Sequence, residues 1–173
     1  MATNTTRAMS QMVDNSSVAL LISEILDKVH KAKTKADKLK ILRDYDSQPL
    51  RMVIKSSFDP KIEWELPKGE VPFKANEAPM GTEHTRLSSE AKKLYHYIKG
   101  GDNTTPKYKK ELMFVQLLEG LHVSEAKVVV AAKDKRLHQV YKGLSKDLVK
   151  EAFSWNDEYK TIPRGTTSGA LSM

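Results

Sequence analysis

Between positions 28 and 43, Lys28, Lys31, Lys33, Lys35, Lys38, Lys40 and Arg43 surround a single acid, Asp37, above an apolar helical rhythm. Ammonium groups displayed on one ordered element suit an anionic partner. Lysine outnumbers arginine, and as a point charge it suits contact with backbone phosphates better than the bidentate reading of base edges. A second basic cluster, Lys92, Lys93, Lys99, Lys107, Lys109 and Lys110, is interleaved with Tyr95, Tyr97 and Tyr108. Tyr95 shares an apolar stripe, which leaves Tyr97 and Tyr108 as the rings available to stack on unpaired bases. A third set comprises Lys133, Lys135, Arg136, Lys142, Lys146 and Lys150. The candidate nucleic-acid contacts are therefore Lys28, Lys31, Lys35, Lys38, Lys92, Lys93, Lys107, Lys109, Lys110, Tyr97 and Tyr108. A solvated basic face that only keeps the protein soluble stands beside this reading.

Other chemistries find less footing. His30, His84, His96, His122 and His138 lie far apart with no His-Glu-x-x-His spacing, and Glu83-His84 is the pair best placed for a loop site. No phosphate-binding glycine loop or nucleophile elbow is present. Lys133-Asp134-Lys135 lacks the strand and glycine expected around a nucleotidyl-transfer lysine, and reads as a charged helix end. No catalytic residue, metal set or cofactor is expected. Trp64 and Phe73 sit in a Pro-rich stretch that can leave aromatics exposed, so they are the candidate protein contacts.

These groups must be carried by a fold that 173 residues can build as one domain. Hydrophobic content of 39% against 29% charged is ordinary for a globular chain, and the net charge of +7 favours encounter with polyanions. The absence of cysteine removes disulfides, zinc thiolates and thiol nucleophiles. No apolar run approaches the ~20 residues of a membrane-spanning helix, and the polar N-terminus lacks a signal-peptide core, so a soluble intracellular protein is expected.

Periodicity predicts an all-α or nearly all-α single domain of six or seven short helices over residues 17–156. Residues 1–16 are read as a disordered extension and 157–173 as a flexible tail. Val18, Leu21, Ile22, Ile25 and Val29 mark the first helix, with Ser17 as its cap. The apolar face changes phase near Lys33, where Thr34 and Asp37 offer a capping box for a second helix. Ser47 opens a third, and these three are expected to bury their stripes together. Four prolines between 59 and 81 interrupt the pattern; a small hairpin over 62–73, turning at Pro67-Lys68-Gly69, competes with a packed loop. Further helices are predicted from Ser88 to Gly100-Gly101, from Thr105-Pro106 to Gly120, from Ser124 to Ala132 and from Ser145 to Phe153. The helix carrying Leu112, Met113, Phe114, Val115, Leu117 and Leu118 is expected to be central. A helix-turn-helix over 124–153 is disfavoured by the long connection from Asp134 to Leu144.

Ser57-Phe58-Asp59-Pro60, Pro67-Lys68-Gly69-Glu70-Val71-Pro72-Phe73, Glu77-Ala78-Pro79 and Gly81-Thr82-Glu83-His84-Thr85-Arg86-Leu87 form a distinctive set. Phe114-Val115-Gln116-Leu117-Leu118-Glu119-Gly120-Leu121-His122 and Lys133-Asp134-Lys135 extend it. Over roughly residues 20–155 the chain resembles a family of small, uncharacterised proteins encoded by large contractile-tailed bacteriophages, notably marine ones. That resemblance implies a phage product acting in the cytoplasm of the infected host or packed in the virion, and brings no catalytic residue or cofactor. The expected function is a non-enzymatic accessory protein binding DNA or RNA through phosphate contacts. The alternative is an adaptor or virion component that binds a phage or host protein.

Overall fold

The phase change near Lys33 divides the chain as expected. The computed structural model describes residues 20–77, 79 and 85–163; the Ser17 cap, the 1–16 extension, the Glu83-His84 pair and the tail beyond 163 lie outside them. Eight α-helical segments succeed one another: α1 (Ile22–Lys31), α2 (Lys35–Asp44), α3 (Gln48–Phe58), α4 (Leu87–Glu90), α5 (Lys107–Gly120), α6 (Val123–Lys133), α7 (Leu137–Val140) and α8 (Lys146–Phe153). A 3₁₀ helix, Ala91–Tyr97, continues α4. The all-α expectation holds, with isolated bridges but no named strand among the described residues. The count exceeds seven by one because the four-residue α7 carries too few positions to leave a period in the sequence, whereas α4 and its 3₁₀ continuation form the helix expected from Ser88.

Local chemistry fixes several of these ends. The Thr34 hydroxyl accepts the Asp37 N–H at 3.1 Å, Ser47 accepts that of Leu50 at 3.2 Å, and Ser145 that of Leu148 at 3.2 Å. Each cap satisfies an otherwise unpaired amide and is worth about 1 kcal/mol. In α1 the Glu24 carboxylate reaches back to the Leu21 N–H at 3.0 Å.

The first three helices do not form a separate bundle: α2 packs on α1 and α8, whereas α3 packs on α6, α8 and the 3₁₀ helix. Nor is α5 central. Lys110, Phe114 and Leu118 form its only buried row, and Leu112 is 56% exposed. The centre belongs to α6, which touches α1, α3, α5 and α7. Its Ala126, Val128, Val129, Ala131 and Ala132 are small enough to let neighbours approach on several sides.

One member of α6 joins distant parts of the fold. Glu125 is fully buried; its Oε2 accepts the Ile22 N–H and its Oε1 the Leu87 N–H, each at 2.9 Å. A single carboxylate thus caps the first turns of α1 and α4, where helix dipoles favour negative charge.

The expected 62–73 hairpin does not form. Trp64 pairs instead with Ile98: the Glu65 N–H donates to the Tyr97 carbonyl and the Lys99 N–H to that of Glu63, each at 2.8 Å. The turn at Gly69 is pinned to α6, because the buried Lys133 ammonium donates to the carbonyls of Pro67 at 2.5 Å and Gly69 at 3.1 Å. The packed domain also passes the expected boundary at 156. Residues 157–161 curl back through a Trp155–Thr161 bridge and bury Tyr159 beside Trp155.

Candidate functional site

Three of the seven cations in the 28–43 stripe come out paired with a carboxylate. Lys31 pairs with Asp27 at 2.8 Å, Lys35 with Glu151 at 2.8 Å and Lys40 with Asp44 at 2.5 Å. The Glu151 carboxylate is correspondingly held below its usual range, first by its bond to Lys35. Arg43 turns to the Glu151 carbonyl. Lys28 and Lys33 stay exposed and Lys38 is half-buried beside Gly143, so pairing interrupts the stripe but leaves these three ammonium groups without a carboxylate within ion-pair distance among the described residues.

The second cluster is divided as well. Lys92 and Lys93 are exposed on the 3₁₀ helix, and Lys93 reaches Glu90 at 3.4 Å. Lys107, Tyr108 and Lys109 project from the start of α5, with the Tyr108 ring 73% exposed. Lys110 is not a surface contact: its buried ammonium reaches both Glu65 oxygens at 3.3 Å and the Asp102 carbonyl. Tyr97 is not a free ring either. It packs edge-on to Phe114, centroids 5.2 Å apart, and burial pushes its hydroxyl up to about 12. Of the two tyrosines on the 3₁₀ helix the exposed one is Tyr95, stacked on His96 at 4.1 Å. The exchange follows from helix type: three residues per turn puts Ala91, Leu94 and Tyr97 on one face, whereas 3.6 would have favoured Tyr95.

Trp64 and Phe73 are half-buried against the core, so neither is an exposed anchor. Trp64 Nε1–H donates to the Ser56 carbonyl at 3.0 Å, and its ring meets Phe114 edge-on. Phe73 lines a shallow depression with Val71, Val130 and Val140.

Folding gathers cations elsewhere. A groove of about 570 Å³ runs between α3, the 3₁₀ helix and the C-terminal turn. Arg51, Lys55, Lys92 and Lys160 line it with Tyr95, Trp155 and Tyr159, and no carboxylate does. Arg51 forks onto Asp46 at 2.7 and 2.5 Å, and Lys160 meets Glu158 at 3.3 Å. Lys55 and Lys92 have no carboxylate within ion-pair distance among the described residues. Of the predicted contacts, only Lys92 lies in this groove. Arg51 and Lys55 were missed because two charges one turn apart on the mostly apolar α3 form no cluster in sequence, and Lys160 because it follows the last predicted helix.

Ile62 also lines a second, larger cavity of about 780 Å³. Its wall holds Lys68, Lys133, Lys135, Lys146 and His138, the hydroxyl residues Ser57 and Ser145, and the rings of Phe58 and Trp64. Glu63 is the one acid on that wall, and it pairs with Lys99 at 3.3 Å. Burial pushes the Lys135 amine below its ordinary value, although Asp59 and Glu63 oppose the shift. Its backbone is left-handed, φ 58°, at a position following a helix end where glycine is usually found.

The remaining histidines have local duties. His122 Nδ1 accepts the Ser124 N–H at 3.1 Å, His30 Nδ1 accepts that of Lys142 at 3.0 Å, and His96 Nδ1 lies 2.7 Å from Asp102 Oδ2. Among the described residues no three His, Cys, Asp or Glu gather as metal ligands. Asp102 is held far below the carboxylate range, first by His96, then by the Thr105 hydroxyl and the amide and hydroxyl of Thr104. A depressed folded-state pKa contributes stability that is complete above the unfolded value near ~3.9 and fades as pH falls below it. The thermal midpoints of wild type and Asp102→Asn should therefore differ at pH 6 and converge toward pH 2. A gap that pH leaves unchanged would contradict the role assigned to Asp102.

A family model described as a family of unknown function (DUF6433) matches residues 25–139, more than half of the chain. The chain belongs to this family. Within DUF6433 the matched stretch runs from α1 to α7 and includes Lys55, Lys92, Tyr95 and Lys135. The groove wall built by Trp155, Tyr159 and Lys160 lies outside it, as does Lys146 on the cavity wall. No curated protein and no solved structure matches the chain. Among the described residues, no helix is long and apolar enough to cross a membrane.

Proposed function

We propose that this DUF6433 protein is a non-enzymatic bacteriophage accessory protein that binds single-stranded nucleic acid without sequence preference, in the infected cytoplasm or the virion. The supporting observation is the groove beside Ile62, where four cations and the half-exposed Tyr95 meet without a lining carboxylate. Phosphates can approach Lys55 and Lys92 without displacing an acidic partner, and Tyr95 offers a ring on which a base can stack. Stacking of this kind is worth about 1–3 kcal/mol per base. On the stripe of α1 and α2, Lys31 and Lys35 would first have to give up Asp27 and Glu151.

Fluorescence anisotropy with labelled mixed-sequence 20-mers of DNA and RNA tests the proposal. At 50 mM salt, Lys55→Glu/Lys92→Glu should weaken binding by about 20-fold, since each reversal both removes a phosphate contact and adds repulsion. The triple variant Lys31→Ala/Lys35→Ala/Lys38→Ala should change it less than about two-fold, as expected if the groove and not the stripe carries the phosphate contacts. No binding at 50 mM salt would overturn the proposal. Loss with the triple variant alone would move the interface to the stripe.

An adaptor role is the second reading, favoured by exposed Tyr108 and Leu112, which lie one turn apart on α5. Recovery of a nuclease-resistant stoichiometric protein partner, lost on Tyr108→Ala/Leu112→Ala, would support it.

A further inference from the structure

Lysine at position 135 is costly where it stands. Beyond a helix C-terminus the left-handed conformation suits glycine, whose missing Cβ avoids the clash that any other residue incurs. The backbone is nevertheless held in that shape: the Lys135 N–H donates to the Ala132 carbonyl at 3.0 Å and the Arg136 N–H to that of Ala131 at 2.8 Å. What the side chain gains is a fixed position. Its ammonium donates to the Asp59 carbonyl at 2.6 Å on the wall of the 780 Å³ cavity and has two further donors to offer. Strained residues of this sort concentrate where a side chain is needed in one place.

The rest of the cavity agrees with a charged occupant that also has a flat face. Lys68 and Lys146 are exposed at its rim, and neither has a carboxylate within ion-pair distance among the described residues. Lys133 adds little to recognition because its ammonium already holds Pro67, Gly69 and Asp134. Phe58, tilted against His138 with centroids 6.2 Å apart, and Trp64 supply aromatic surface. The volume falls in the ~300–1,000 Å³ span of small-molecule sites.

We propose that this cavity binds a nucleotide, with its phosphates on Lys68, Lys135 and Lys146 and its base against the aromatic wall. The nucleotide is either free or the 5′-phosphorylated end of a strand, which present the same chemistry. The site is separate from the groove on the other side of Ile62, so it stands or falls without the strand-binding proposal.

The decisive variant is Lys135→Gly, which removes the ammonium while relieving the backbone. Calorimetric titration of the full chain with ADP should give saturable one-to-one binding, and adenosine should bind at least ten-fold more weakly. Lys135→Gly should weaken ADP binding at least ten-fold with a thermal midpoint equal to or above that of wild type. Trp64 emission in a Trp155→Phe background supplies a second readout local to the cavity. If ADP fails to bind but a 5′-phosphorylated 20-mer binds more tightly than its 5′-hydroxyl counterpart, and Lys135→Gly abolishes that difference, the occupant is a strand end. Absence of both ADP binding and a 5′-phosphate effect overturns the proposal, as does unchanged nucleotide affinity in Lys135→Gly.

Discussion

Glu125→Ala should lower the free energy of unfolding by about 3–5 kcal/mol, a large part of the ~5–15 kcal/mol that holds a domain of this size. The substitution leaves the amides of Ile22 and Leu87 without their shared acceptor in a place water does not reach. Each unsatisfied buried amide costs about 1–3 kcal/mol, and the side chain leaves a void besides. Glu125→Gln should fall between the two proteins, because one oxygen survives while the other becomes a donor facing a donor. Urea unfolding measures the difference. Native-state hydrogen exchange adds a local check, since the Ile22 and Leu87 amides should lose protection before those of α6. A loss under 1 kcal/mol would mean that neither helix depends on this carboxylate.

The second large effect is the salt dependence of strand binding. If Lys55 and Lys92 each take a phosphate, and Arg51 and Lys160 exchange Asp46 and Glu158 for one each, four counterions leave the strand, and log K against log salt has a slope of about −2.8 for single strands. Between 50 and 200 mM salt the affinity should then fall by about 50-fold. Removing Lys55 and Lys92 should bring the slope to about −1.4 and the fall to about seven-fold. Anisotropy titrations at four salt concentrations would measure both slopes. A flat dependence would exclude phosphate contact as the source of affinity, and an unchanged slope in the double variant would remove the groove.

Sequence and structure agree where the deciding interaction is local. Thr34 with Asp37, Ser47 with Leu50 and Ser145 with Leu148 are caps three residues long, and all three helices begin where their caps place them. The exchange of Tyr95 for Tyr97 marks a different limit. Ala91 and Leu94 fit both a 3.0 and a 3.6 period, so the stripe could not reveal the 3₁₀ turn that decides which ring is buried. Charge is harder still. Asp27 and Asp44 flank the basic stripe in sequence and were available as one-turn partners, but Glu151 reaches Lys35 only through the packing of α8 on α2. Arg51 and Lys55 are one turn apart on α3, but Lys92 and Lys160 in the groove and Lys68, Lys135 and Lys146 in the cavity come from distant segments that no spacing rule links.

The dependence of α1 on Glu125 also bears on how the protein is made. Ile22 and its acceptor are 103 residues apart, and α2 packs against α8, near the far end of the described chain. At about 5–20 residues per second, the ribosome delivers Ile22 roughly 5–20 s before Glu125. During that interval Leu26, Val29 and Leu42, all fully buried in the finished fold, lack the part of their cover that α6 and α8 supply. The nascent N-terminal half is therefore expected to expose apolar surface until the later helices emerge to complete it.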